Sequence, residues 1–572
     1  MSDDERPAHG GVRAVAAARR NGAQTMFTLS GGHVFPVYDG AVTADPPMRI
    51  VDVRHEQTAV FAAEATARLT RSPGFAVLTA GPGVTNGVSA ITTAHFNGSP
   101  VVVLAGRAPD ARWGSGSLQE LDHPPLLAPV TKRAWTVHSA DQVGEAVDDS
   151  FALASSPHRG PVFLDASLEA LFGTDPRPGT GTAGAGGLTR ALGSTASDAA
   201  NGAAAAASAL ADPAAITEIA RLLAEAVRPV LILGSDVWLG GAEHAARSAA
   251  EQLRLPVIAN GQGRGILPAG HPLLVTRARS VALGEADLVL VAGTPLDFRL
   301  GYGSFGGKNG TPPAQVVHIA DAADQIAKHR ELAGSAAGDL AAIFAGLAGE
   351  AGRGSFVWTQ DWLPRLQSVA ASAVAADSDL LHSAAMPIHP LRIYGELSKL
   401  LQADAVVIGD GGDFVSYAGK YVEPQQPGGW LDPGPYGCLG TGLGYAIAAR
   451  VARPTAQVVL LLGDGAAGFS LMDVDTLVRH GLPVVMVCGN NGMWGLEKHP
   501  MQALYGYDVA ADLQPGCRYD QVVTALGGSG ELVTEPADIG PALGRAFDSG
   551  VPYLVNVVTD AKDAYPRSTT GV

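Results

Sequence analysis

Of the 572 residues only three are cysteine, Cys438, Cys488 and Cys517. Their spacing matches neither a metal-ligand pattern nor a disulfide framework, which predicts a reducing compartment, the cytoplasm. Charge is also scarce: 16% of residues are charged, and the balance is acidic, with a net charge of −16. An acidic chain repels polyanions, so neither nucleic acid nor an anionic membrane is expected as a partner. No apolar run approaches the ~18 residues needed to cross a bilayer. The start, Met1-Ser2-Asp3-Asp4-Glu5-Arg6, is acidic, whereas an export leader is basic and then apolar. What the chain does have is core material, 47% hydrophobic residues. At ~100–200 residues per domain, about three domains are expected.

Apolar runs of strand length alternate with helical patterns. The first helix is expected over residues 9–22, followed by strands at Thr25–Leu29, Arg49–Val53, Phe75–Thr79 and Pro100–Ala105, with a helix over Glu56–Arg68. Such alternation predicts a doubly wound parallel sheet. We therefore place an amino-terminal domain at residues 1–170, a Gly/Ala-rich linker at 171–212, a central domain at 213–350, a second connection at 351–385 and a third domain at 386–572. The fold class is α/β, three doubly wound parallel-sheet domains. No internal repeat is visible in the sequence.

The densest chemical signal lies between Gly463 and Asn491. The apolar run Val458–Leu462 feeds into Gly463-Asp464-Gly465-Ala466-Ala467, which places the motif in a loop at the carboxyl end of a buried strand. A helix is expected over Ser470–His480 and a strand over Pro483–Cys488, so Asn490-Asn491 ends a neighbouring parallel strand. Asp464 and Asn491 supply hard oxygen ligands, and the glycines let backbone amides approach a phosphate. One carboxylate and one amide oxygen suit Mg2+ whose shell is shared with a diphosphate. A second Gly-Asp-Gly, Gly409-Asp410-Gly411, has no Asn-Asn at the matching distance and reads as a turn.

Gly-Asp-Gly with a following Asn-Asn resembles the signature of thiamine diphosphate enzymes. Arg54-His55-Glu56-Gln57 and Gly81-Pro82-Gly83-Val84-Thr85-Asn86 are similar to the pyrimidine-binding domain of the acetolactate synthase-like superfamily. The resemblance covers nearly the whole chain. It implies that Glu56 hydrogen-bonds N1' of the cofactor's aminopyrimidine, a task for a carboxyl group in a dry pocket. It implies Mg2+ on Asp464, Asn491 and the backbone carbonyl of Met493, with Gly465 and Ala466 in the same loop. Gly437-Cys438-Leu439-Gly440 would supply a carbonyl (Gly437) to the 4'-amino group and an apolar wedge (Leu439) between the rings. Gly412 and Asp413 fall where relatives contact the diphosphate. Gln119, in Leu118-Gln119-Glu120, and His33, after Gly31-Gly32, fall on segments that face the reacting carbon. A homodimer at minimum is implied, with Glu56 of one copy meeting Asp464 of the other, and a homotetramer is expected.

Within that superfamily, Gly492-Met493-Trp494-Gly495-Leu496-Glu497-Lys498-His499-Pro500, Gly293-Thr294-Pro295-Leu296-Asp297-Phe298-Arg299 and the terminal Tyr565-Pro566-Arg567 resemble the 2-hydroxyacyl-CoA lyase and oxalyl-CoA decarboxylase branch. That implies a small acyl-CoA substrate, such as 2-hydroxyisobutyryl-CoA, cleaved to formyl-CoA and a ketone or aldehyde, such as acetone. Glu497 is the candidate base for the substrate hydroxyl. The alternative is acetolactate synthase or another 2-oxo acid decarboxylase. The segment Val275-Thr276-Arg277-Ala278-Arg279 lacks the Gly-Met-His-Gly of flavin-binding relatives, so no FAD is expected. Asp321, after a strand at Val316–Ile319, is placed to accept a ribose hydroxyl, as acidic residues do in nucleotide domains. ADP, or the ADP part of CoA, is its expected partner, and Arg277 and Arg279 are candidate phosphate contacts.

Overall fold

Val458–Leu462 forms a strand buried on both faces, as a continuous apolar run does inside a parallel sheet. The computed structural model describes residues 8–174, 212–351, 358, 360–563 and 565, and it contains three such sheets. Most of the expected linker at 171–212, and the residues after Tyr565, lie outside the described residues.

The chain divides into two compact units, Met1–Ala209 and Leu210–Val572. The first unit holds β1 (Thr25–Thr28), β2 (Arg49–Asp52), β3 (Gly74–Leu78), β4 (Val101–Arg107), β5 (Ala134–Val137) and β6 (Val162–Ser167) in the order β2-β1-β3-β4-β6-β5. All neighbours in it are parallel.

The second unit holds two sheets. The central one orders β7 (Pro229–Leu233), β8 (Val257–Ala259), β9 (Leu288–Ala292), β10 (Gln315–Ala320) and β11 (Gly334–Ala337) as β11-β10-β9-β7-β8. The other contains β12 (Val406–Asp410), β13 (Trp430–Leu431), β14 (Val458–Gly463), β15 (Val485–Asn490), β16 (Ser529–Val533) and β17 (Tyr553–Val558), in the order β13-β12-β14-β15-β17-β16. This repeats the first sheet strand for strand. The two therefore share one topology without a visible sequence repeat, because parallel sheets demand only buried apolar strands and right-handed crossovers.

In both six-stranded sheets the strand order reverses beside the first strand, between β1 and β3 and between β12 and β14. The carboxyl ends of strands flanking such a reversal leave a crevice where ligands bind in open α/β sheets. The segments that leave β12 and β14 begin Gly411-Gly412-Asp413 and Asp464, and those that leave β1 and β3 include Ser30–His33 and Thr79–Gly83.

Two local expectations change. Asp464 opens a helix, Asp464–Ser470, directly from β14, where a loop was expected. An acidic residue in a first turn suits the helix dipole, and the alanines that follow favour helix. The connection at 351–385 contains a helix, Trp362–Ala376, and Trp358, Trp362, Leu363 and Leu366 join the central domain's core. The Trp362 indole N–H also donates to the carbonyl of Pro229, at 3.1 Å.

Candidate active site

In the second unit, β14 and β15 run side by side with Gly463 opposite Gly489, so Asp464 and Asn491 leave adjacent strand ends. Asp464 is 3% exposed. Its Oδ1 accepts from the Gly465 amide at 2.9 Å and its Oδ2 from the Gly492 amide at 2.6 Å. Burial pushes its pKa up to about 6, against the opposing pull of those amides. A buried carboxylate held by amides, with no cation beside it, is a natural ligand for a metal ion. Asn491 is half-buried, and its Oδ1 accepts the amide of Met493 at 3.2 Å.

A small cavity of about 50 Å3 lies here. Its walls include Gly412, Asp413, Asp464, Gly465, Ala466, Asn491, Met493 and Glu497, the candidate site residues of this region, together with Trp494 of the same quoted segment. Asp464, Asn491 and Met493 all line it, and their carboxylate, amide and carbonyl oxygens are a hard donor set that would fit Mg2+. Gly465 is required for packing: a Cβ there would sit 2.4 Å from the Trp494 ring. The two asparagines divide their work. Asn490 is 1% exposed and points into the protein, where its amide donates to the carbonyl of Cys517 and to Oδ1 of Asn556, so it braces the strand end. Glu497 is exposed at the cavity's edge on the helix Gly495–Tyr505. Gly437, exposed, and Leu439, half-buried, are not among the lining residues and sit in the turn before the helix Thr441–Ala452.

The first unit gathers its own cluster. Glu56 begins the helix Glu56–Thr70, capped by the His55 ring, and is 6% exposed. Its Oε2 accepts from the Asn86 side chain at 3.0 Å. His33 Nδ1 lies 3.2 Å from Thr79 Oγ1, and burial lowers the imidazole's pKa, which keeps it neutral. Gln119 sits at φ 62° against Gly81, whose Cβ position would be 2.9 Å from the Gln119 Cβ. Thr79 thus lies between the loops of His33 and Gly83, with Glu56 behind Gly83. Leu118, beside Gln119, is 79% exposed. Asn86 belonged to the quoted motif, yet its bond to Glu56 needed the fold to be seen. His123 and Asp165 gave no local signal at all.

Two more features belong to the second unit. Asp321 is buried after β10, and its carboxylate lies within 4.8 Å of that of Asp236, after β7. A separate, larger cavity of about 960 Å3 lies against both sheets' domains, lined by Arg264, Arg277, Arg279, Arg299, Lys308 and Lys420. Asp321 is not among its walls. Arg277 and Lys420 pair with Asp377. Burial lowers the pKa of Arg264, and Arg279 is lowered to about 10, first by burial and then by the neighbouring guanidiniums of Arg264 and Arg299.

Two of the three α/β sheets thus share one topology and carry a ligand-type crevice, one with a buried glutamate and the other with an Asp/Asn oxygen set. Three family models match the chain: "Thiamine pyrophosphate enzyme, N-terminal TPP binding domain" over residues 9–126, "central domain" over 216–347 and "C-terminal TPP binding domain" over 410–557. The chain belongs to the thiamine pyrophosphate enzyme family. It is 48% identical to the acetolactate synthase large subunit IlvG of Mycobacterium tuberculosis over 574 residues, 99% of each chain. It is 33% identical to the 2-hydroxyacyl-CoA lyase 2 of Caenorhabditis elegans over 566 residues, 93% of this chain and 86% of the relative. The human protein of that name is 32% identical, over 98% of this chain and 89% of its own. Among the described residues no helix is long and apolar enough to cross a membrane.

Proposed function

We propose that the protein is a thiamine diphosphate-dependent carbon–carbon lyase that cleaves a short 2-hydroxyacyl-CoA, such as 2-hydroxyisobutyryl-CoA, to formyl-CoA and a ketone or aldehyde. The observation that carries this reading is the cationic cavity of Arg264, Arg277, Arg279, Arg299, Lys308 and Lys420. Arg279, lowered by burial and then by the guanidiniums of Arg264 and Arg299, would be matched by the phosphates of a CoA ester. The lyase relatives, 2-hydroxyacyl-CoA lyase 2 of several animals, add support.

In this reading Asp464, Asn491 and the Met493 carbonyl hold Mg2+, while Gly412, Asp413, Gly465 and Ala466 border the diphosphate. Gly437 and Leu439 meet the aminopyrimidine and the ring junction. When bound, the cofactor supplies the electron sink for the pair released by carbon–carbon cleavage. Glu56 exchanges a proton with the pyrimidine nitrogen from its dry position beside Asn86. Glu497 takes the proton of the substrate's 2-hydroxyl. Gln119 hydrogen-bonds the thioester oxygen as it gains charge, and neutral His33 relays protons. Asp321 accepts a ribose hydroxyl of ADP. The clusters of Glu56 and Asp464 are completed by a second copy, making a homodimer or a homotetramer in the cytoplasm.

The second reading is acetolactate synthase, favoured by the 48% identity to proteins of that name. One experiment separates them. Purified enzyme with thiamine diphosphate and Mg2+ is offered a panel of 2-hydroxyacyl-CoA esters and, separately, pyruvate. Formyl-CoA with acetone or an aldehyde supports the lyase; acetolactate from pyruvate without formyl-CoA overturns it.

A further inference from the structure

The second Gly-Asp-Gly of the chain, Gly409-Asp410-Gly411, is not an exposed turn. Asp410 ends β12, is 0% exposed, and directs both carboxylate oxygens at the amino end of the helix Thr441–Ala452. Oδ1 accepts from the Gly440 amide at 3.1 Å and Oδ2 from the Gly442 amide at 2.8 Å. The residues immediately before those amides are Gly437, Cys438 and Leu439, and Gly437 and Gly440 both hold left-handed backbone, at φ 69° and 85°. A turn with two left-handed residues has little intrinsic preference for one shape. Asp410 supplies the missing constraint from a rigid strand.

We propose that Asp410 is the positioning residue that fixes the Gly437–Gly440 turn for the cofactor's pyrimidine ring. This rests on the reading that assigns Gly437 and Leu439 to that ring. The role is one of placement: the amides Asp410 holds are those of Gly440 and Gly442, and its ionised form accepts both protons at once, whereas a protonated carboxyl turns one oxygen into a donor facing an N–H.

The groups that face its charge are backbone amides, of Gly442, Gly440 and Gly411, and across the sheet β14 opposes it with Leu462. Burial without a cation raises its pKa to about 7. The grip on the turn is therefore weakened by protonation at mildly acid pH.

Asp410→Asn keeps the shape and converts one acceptor into a donor. Thiamine diphosphate is titrated into wild type and variant at fixed Mg2+ with tryptophan fluorescence as the readout, and turnover is measured at saturating cofactor. The expected result is cofactor affinity weakened at least about tenfold, with KM for the substrate unchanged once cofactor is saturating. A folded Asp410→Asn that binds cofactor with wild-type affinity overturns the proposal. Should the variant not fold, amide exchange of residues 436–445 in wild type, corrected for intrinsic rate, decides instead. Protection of the Gly440 and Gly442 amides supports the proposal, and exchange of both at the intrinsic rate overturns it. Wild type that binds no thiamine diphosphate would defeat the cofactor reading itself, whereas wild type that binds beside an indifferent variant defeats only the role of Asp410.

Discussion

Asp165 holds His123 at 2.8 Å through Nδ1, and both side chains are fully buried. The other ring nitrogen, Nε2, accepts the Gly81 amide at 3.0 Å, so the ring is the neutral tautomer with its proton toward the carboxylate. The arrangement has the logic of a catalytic Asp–His pair, with its acceptor nitrogen aimed at a backbone amide where a nucleophile would stand. Gly81, at φ 56°, packs against Gln119, and Arg107 joins Asp165 at 3.4 Å while stacking under Trp113. The pair thereby ties the Gly81 loop to the segment carrying Gln119.

His123→Ala removes one partner and leaves a buried carboxylate and a buried amide short of hydrogen bonds. We expect a loss of about 2–4 kcal/mol in denaturant unfolding, together with a fall in turnover, because Gly81 and Gln119 lose their common anchor. A variant as stable as wild type would show that the pair does not brace the loop.

Asp410 gives a pH signature in the protein without cofactor. Its folded-state pKa of about 7 lies above the ordinary value of 3.8, so folding favours the protonated form. The associated stability is whole below about pH 4 and is lost as pH rises through 7. Asp410→Asn lacks this titration. The stability of wild type relative to the variant should therefore fall between pH 5 and pH 8, by an amount on the order of a few kcal/mol, measured by urea unfolding at both values. A difference that stays flat, or that moves the other way, contradicts the assignment.

The strands were legible because they are short apolar runs: the expected Val458–Leu462 and Val316–Ile319 lie within Val458–Gly463 and Gln315–Ala320. The cluster of Asp464, Asn491 and Met493 was legible because its members lie on one strand–helix–strand unit. What escaped depends on distant strands meeting. Nothing near Asp122-His123-Pro124 announces Asp165, and nothing near Asp410 announces the amides of Gly440 and Gly442. The doubled topology is equally invisible, since strand order leaves no mark on the composition of any one strand. Trp494 belonged to the quoted Gly492–Pro500 segment, but its packing over Gly465 shows only in the fold.

Glu56 and Asn86 make a separable pair. Glu56→Gln preserves volume and the hydrogen bond to Asn86 and removes the ionisable proton; turnover should fall by about 10²–10⁴, with unfolding free energy within about 1 kcal/mol of wild type. Asn86→Ala should cost less, about tenfold, since it only frees the carboxylate to move. Steady-state rates at saturating cofactor, beside thermal unfolding, test both. Retained activity in Glu56→Gln would remove Glu56 from the chemistry.

Arg279 offers the sharpest test of the cationic cavity, because structure and binding pull in opposite directions there. Its guanidinium is buried, pushed down to about 10 by burial and by Arg264 and Arg299, and makes one bond, Nη2 to the carbonyl of Arg299 at 2.8 Å. Replacing it with methionine keeps the aliphatic packing and relieves the like-charge repulsion. In the absence of ligand Arg279→Met should be as stable as wild type or more so, by up to about 1 kcal/mol. With a CoA ester the same change removes a charge-assisted phosphate contact, and KM should rise about tenfold or more at unchanged kcat. Pyruvate carries no such phosphates, so a KM for pyruvate that rises in parallel would show that the cavity does not hold the nucleotide of CoA. A variant that loses stability and leaves both KM values alone would make the arginine cluster a structural one.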